Sequence, residues 1–263
     1  MAISETAQKN HDELFPGHVS TLKVTDPELI EIFDNFAFDE VLRHTGLDTR
    51  TRLMVQLAAL IGGQALSEYR VMLGAALTSG VTPVEAREIV YQAIPYAGMG
   101  KVFDFIHATN DVLTERGVEL PLPVQSTTTP GNRGDKGLAI EKQIVGSDVV
   151  EKLYASSPED QLHIQRFLSA NCFGDYYTRT GIDVPTRELL TFSMLVALGG
   201  REPQVKGHVA ANLNVGNNRA RLIDVLTQLL PFIGYPRTLN ALRVVDEVTG
   251  TAGAAMAKSE GTS

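Results

Sequence analysis

The chain of 263 residues has one cysteine, Cys172, and no tryptophan. A single thiol excludes an intrachain disulfide, which suits a reducing compartment. Basic residues are in the minority, 23 Lys and Arg against 31 Asp and Glu, for a formal charge of −8. No basic cluster interrupts that acidic excess, which argues against a nucleic-acid or anionic-membrane surface as the main partner. No apolar run is long enough to span a bilayer. The start, Met1-Ala2-Ile3-Ser4-Glu5, lacks the apolar core of a signal peptide, so the expected location is the cytoplasm. No segment alternates apolar and polar residues over a strand's length, which leaves helices as the regular structure. A hydrophobic content of 43% is enough for a sizeable core.

What is present is one helical unit written twice. Phe38-Asp39-Glu40 and Thr45-Gly46-Leu47-Asp48-Thr49-Arg50-Thr51-Arg52 recur as Phe173-Gly174-Asp175 and Thr180-Gly181-Ile182-Asp183-Val184-Pro185-Thr186-Arg187. The spacing is a constant 135 residues, 38 to 173 and 52 to 187. Further on, Gln92-Ala93-Ile94-Pro95-Tyr96-Ala97-Gly98 answers to Gln228-Leu229-Leu230-Pro231-Phe232-Ile233-Gly234, one residue further apart. A period this long marks a duplicated supersecondary unit, not a solenoid of short modules.

Residues 1–25 read as a polar N-terminal arm. Asp26-Pro27-Glu28 is a helix start, an N-cap candidate followed by proline at the first helical position. Asp48 caps a second helix, which Gly62-Gly63 is expected to stop. A third runs from about Ala65 to Thr78. Thr82-Pro83-Val84-Glu85 is a capping box; the helix it opens runs into Pro95, and another follows from about Val102 to Glu115. The first repeat thus occupies 26–116. Residues 117–137, with Pro121, Pro123 and Pro130 and little apolar periodicity, read as a linker. The second repeat occupies 138–248. It starts with a helical region over about 138–155, and Ser157-Pro158-Glu159-Asp160 then opens the duplicated part. The tail, 249–263, is expected to be disordered. Asp48/Arg52 and Asp183/Arg187 have the spacing of helix-cap ion pairs.

The copies differ at polar positions. Glu188 stands where the first copy has Leu53. His208 stands where it has Met72 or Leu73. Cys172 aligns with Ala37, and Tyr176-Tyr177 with Val41-Leu42. Each difference has two readings. His208 is either a core histidine bonded to a carbonyl or a proton carrier. Glu188 either complements its helix dipole or partners the histidine. Cys172 is either a small buried hydrophobe or a reactive thiol. Their joint appearance in one copy favours the chemical readings. Consecutive antiparallel helices would bring Glu188 and His208 face to face as a proton-transfer pair.

The strings Ile182-Asp183-Val184-Pro185-Thr186-Arg187-Glu188-Leu189-Leu190-Thr191 and Ala197-Leu198-Gly199-Gly200, followed by a helix bearing His208, resemble the carboxymuconolactone decarboxylase family. Val215-Gly216-Asn217 and Leu230-Pro231-Phe232-Ile233-Gly234-Tyr235-Pro236 add to the likeness, which the first copy shares more loosely. The resemblance implies an all-α fold of two tandem alkylhydroperoxidase D-like repeats, no cofactor and no metal, a small-molecule substrate, and a homo-oligomer, trimer before dimer. Phe36, Phe38, Phe167 and Phe173 are expected to flank the interface. The family's peroxidase branch uses Cys-x-x-Cys at the start of the histidine helix, and Gly200 and Pro203 stand near those positions here. That disfavours the branch, since a two-thiol cycle needs a resolving partner.

The decarboxylase branch needs an acid to protonate carbon, which would be His208 with Glu188 orienting it. It also needs a group to bind a carboxylate or stabilise a dienolate oxygen. Cys172, Tyr176 and Tyr177 would line the pocket. Arg201 or Arg237 would hold a carboxylate or else be solvated at the surface. Three functions remain open: a lyase or isomerase on a small carboxylated or lactone metabolite, a redox enzyme using Cys172 alone, and an oligomer without catalysis.

Overall fold

Capping side chains set where the main helices begin. Asp48 accepts the Thr51 N–H and opens α4 (Thr49–Gly62). Thr82 and Glu85 cap each other reciprocally at the start of α6 (Pro83–Ala97). Asp183 accepts the Thr186 N–H and opens α11 (Val184–Leu198). Each cap satisfies a backbone donor that the first turn cannot pair. The computed structural model describes residues 2–18 and 20–250, and no strand occurs among them.

In the first half α1 (Glu5–Leu14), α2 (Leu22–Thr25) and α3 (Pro27–Asn35) lead into a π-helical stretch, Phe36–Glu40. A 3₁₀ turn follows, then α4, α5 (Leu66–Thr78), α6 and α7 (Met99–Glu115). The second half runs α8 (Arg133–Val145), α9 (Ser147–Ser156), α10 (Leu162–Phe167) and a longer π-helix, Leu168–Tyr177. It closes with α11, α12 (Glu202–Asn214), α13 (Arg219–Ile233) and α14 (Tyr235–Thr249).

The two central helices, α4 and α11, pack on each other. A Cβ added to Gly62 would lie 2.5 Å from the Met194 carbonyl oxygen. Gly62 is the last residue of α4 and Gly63 its C-cap, so the glycine pair ends the helix as expected from the sequence, and Gly62 also lets α11 approach. Around this pair the halves exchange elements. Helix α6 of the first half packs on α11 and on the second π-helix, while α13 of the second half packs on α4 and on the first π-helical stretch. Such reciprocity is what a pseudo-twofold relation between the copies produces. One apolar core runs through both halves, with Leu53, Leu57 and Ile61 beside Leu189, Phe192 and Leu195.

Several expectations need correction. The arm at 1–25 contains α1, whose Ala7 and Leu14 are buried. Its Asn10 donates to the Phe38 carbonyl at 2.7 Å, and Ser4 donates to Asp39 at 2.9 Å. Helix α1 packs on the first π-helical stretch and α5, as α8 packs on the second π-helix and α12. It is thus the structural counterpart of α8. The expected linker is helical from Arg133 onward, and the region 138–155 is two helices broken at Gly146. The rest of the linker is tied down, with Arg87 donating to the carbonyls of Leu122 and Pro123.

The i,i+4 ion pairs do not form: Asp48 and Asp183 act as caps, and Arg187 bonds elsewhere. Phe38 and Phe173 belong to the intrachain core, Phe36 is half-buried, and Phe167 is exposed. From 251 onward the expected tail lies outside the described residues.

Candidate active site

The second π-helix decides which side chains reach the site. Cys172 and Tyr177 are five residues apart. On an α-helix they would diverge by roughly 140°; the wider i→i+5 turn stacks them on one face. That face meets α11 and α6. Two glycines permit the π-helix to sit so close to α8: a Cβ on Gly137 would lie 1.9 Å from the Ser169 carbonyl oxygen, and one on Gly174 2.2 Å from that of Arg133.

Glu188, the fifth residue of α11, is the centre of the site and has no solvent exposure. One carboxylate oxygen accepts the Tyr177 hydroxyl at 2.6 Å, and the other lies 2.8 Å from His208 Nδ1. An ionised carboxylate only accepts, so Nδ1 carries the proton and the ring's Nε2 is left for chemistry. Among the described residues Nε2 has no hydrogen-bond partner, and the imidazole is 17% exposed while Glu188 is sealed. The register between α11 and α12 is fixed by buried Asn212, whose amide donates to the carbonyls of Glu188 and His208 at 3.1 and 2.7 Å.

Behind Glu188 the polar groups form donor chains that converge on it. The Cys172 thiol donates to the Tyr96 hydroxyl at 3.8 Å, and Tyr96 lies 2.9 Å from the Tyr177 oxygen. On a second branch Arg187 donates to Gln92, Gln92 to Thr191, and the Thr191 hydroxyl sits 2.9 Å from Tyr177. Arg187 is fully buried and pairs with buried Glu88 at 2.9 Å, which also takes a two-pronged contact from Arg179. Burial pushes the tyrosine hydroxyls of Tyr96 and Tyr177 well above their usual range, and the charge of Glu188 adds to it. Burial also pushes the Cys172 thiol up to about 12, against the opposing hydrogen bond to Tyr96.

Four of the residues picked from sequence therefore come together: Glu188, His208, Cys172 and Tyr177. The other three do not. Tyr176 is half-buried and makes no hydrogen bond within the cluster. Arg201 and Arg237 are exposed and line a separate cavity of about 110 Å³ between α11, α12 and α14, which includes neither Glu188 nor His208. Sequence comparison of the copies missed Glu88, Gln92 and Tyr96, because they belong to the first copy. Their signal was present as three polar residues four apart, a single stripe along α6.

In the first copy the corresponding positions are apolar and buried: Leu53 for Glu188, and Met72 for His208. No proton carrier remains there.

The model of the carboxymuconolactone decarboxylase family matches twice, at residues 27–111 and 163–247. The chain belongs to the carboxymuconolactone decarboxylase family. A 4-carboxymuconolactone decarboxylase from Acinetobacter baylyi is 27% identical over 116 residues, 86% of its own length but 44% of this chain. A nitrosuccinic acid decarboxylase from Metarhizium robertsii is 28% identical over 85 residues, 59% of its length and 32% of this chain. A crystal structure from Burkholderia xenovorans, provisionally named a gamma-carboxymuconolactone decarboxylase subunit, shares the fold. It has a TM-score of 0.50 and 22% identity, covering 96% of this chain and 98% of that one. The all-α fold of two tandem family units is thus that of the family. Among the described residues no helix is long and apolar enough to cross a membrane.

Proposed function

We propose that this member of the family is a decarboxylase-like lyase acting on a small carboxylated or lactone metabolite, with His208 as general acid and Glu188 as its orienting carboxylate. The observation that carries the reading is the His208–Glu188 contact with Nε2 left unpartnered at the solvent edge. Two relatives named as decarboxylases support the reaction type. In the step proposed, the bond from carbon to the carboxylate breaks and carbon dioxide leaves. The electron pair enters the conjugated carbonyl as a dienolate. Protonated His208 delivers the Nε2 proton to carbon, and partial exposure lets water restore it. Glu188, itself held by Tyr177, stabilises the imidazolium throughout.

His208→Ala is expected to lower turnover by roughly 10²–10⁴, the usual share of a positioned acid, with the melting temperature nearly unchanged. Full activity of that variant on the true substrate would refute the assignment. The redox alternative requires an activated thiolate. Cys172 is buried and its thiol is held in the neutral form, so the structure supports that reading less.

A further inference from the structure

The duplication has left one cation without the partners that satisfy its counterpart. Arg52 occupies in the first copy the place of Arg187 in the second. Arg187 is neutralised by Glu88 and donates to Gln92 and to the carbonyls of Arg179 and Thr180. The equivalents around Arg52 are Asp224 and Gln228. Asp224 is one methylene shorter than Glu88, and its carboxylate is engaged by the Gly46 N–H at 2.9 Å. Gln228 spends its amide on the Val41 carbonyl at 2.7 Å, and its side-chain oxygen is buried without a partner. Arg52 is only 8% exposed, yet among the described residues its guanidinium makes no hydrogen bond or ion pair, and its Nε is a buried orphan. A desolvated, unpaired guanidinium is costly.

Arg52 lines a cavity of about 380 Å³ closed on one side by α1. Leu14, Leu42 and Leu47 supply apolar wall, and Asn10, Thr45, Thr49 and Ser79 supply polar groups. Glu13 stands at the rim, exposed, 3.9 Å from Lys9.

We infer that the Arg52 cavity of the first copy is a binding site for a small organic carboxylate, which the guanidinium holds while the three leucines pack its apolar body. No reaction occurs there, because Leu53 and Met72 replace Glu188 and His208. The site is therefore a non-catalytic one, for an effector or for a second molecule of a carboxylated ligand. It does not depend on the function proposed for His208.

The probe is 4-fluorobenzoate, followed by fluorine NMR on the full chain carrying His208→Ala, so that occupancy of the other site is read separately. Saturable line broadening is expected, together with a higher melting temperature in the probe's presence. Arg52→Met should weaken binding about tenfold or more, the scale of a lost charge-assisted contact, and should melt no lower than the parent without ligand. Glu13→Gln, at an exposed position, should tighten binding by removing a like charge from the rim. 4-Fluorobenzamide, the neutral isostere, should not bind. Equal affinity of the Arg52→Met and parent proteins, equal binding of the amide, or an absence of binding at millimolar probe would overturn the inference. So would loss of stability in both Arg52→Met and Glu13→Gln, which would show that Arg52 closes on Glu13 instead.

Discussion

The reactivity of single side chains follows from what they touch. Cys172 stands out in the sequence because the first copy has Ala37 in its place, but the thiol is buried in a cluster with Phe173, Tyr177 and Ala211, and its one polar contact among the described residues is the Tyr96 hydroxyl. With its pKa raised to about 12, the folded protein holds negligible thiolate near neutrality. Alkylation by iodoacetamide at pH 8 should be slow in the native state and fast in denaturant. Because the raised value lies above that of the unfolded thiol, this group's share of stability falls as the pH climbs from about 9 toward 12. Cys172→Ser should keep most of the activity; abolition of activity would restore the redox reading. Tyr177→Phe removes the donor to one oxygen of a sealed carboxylate, which is expected to cost about 1–3 kcal/mol and to lower turnover. Glu188 and His208 were legible as a pair because they differ from Leu53 and Met72 in an otherwise repeated chain. The choice between Tyr176 and Tyr177 was not, since it depends on a helical register that one residue of slippage changes.

At the level of elements, the capped α-helices were readable from side chains that bond their own first turns, at Asp48, Thr82 and Asp183. The π-helix was not. Its wider turn is held by neighbours, above all by α8, and nothing local announces it. Helix α1 was missed for a similar reason: it is polar apart from a few contacts, and its order comes from docking on Phe38 and Asp39. The contact between α8 and the π-helix is the place to test whether the element positions the chemistry. Gly137→Ala must displace the Ser169 carbonyl or shift α8. Overpacking of this kind is expected to cost about 1–3 kcal/mol or more. Turnover should fall beyond what the loss of folded protein explains, because Cys172 and Tyr177 ride on that turn. A variant that melts as the parent does would show that α8 yields freely and that the contact sets nothing.

Across the whole molecule, the duplication was legible but its consequence was not. The sequence shows two similar units. It does not show that the candidate site is assembled from both, with Glu188 and His208 from the second half and Tyr96, Gln92 and Glu88 from the first. Long-range pairing of this kind leaves no mark in local spacing. It makes a specific prediction for a chain cut at Pro130-Gly131, ahead of α8. The 131–263 half alone could complete its packing only by using its own α13 where α6 belongs. That would set Asp224, Gln228 and Phe232 in the places of Glu88, Gln92 and Tyr96. Asp224 lacks the reach by which Glu88 meets buried Arg187, and Phe232 has no hydroxyl to donate toward Tyr177. Loss of one partner from a buried ion pair costs about 3–5 kcal/mol, so the isolated half should melt well below the intact chain and show no activity. Co-expression with the 1–130 half should restore both, and the pieces should copurify. Glu88→Gln in the intact chain should reproduce part of the defect, leaving Arg179 and Arg187 without their shared carboxylate. A 131–263 half that is fully active by itself would mean that the site does not need the first copy.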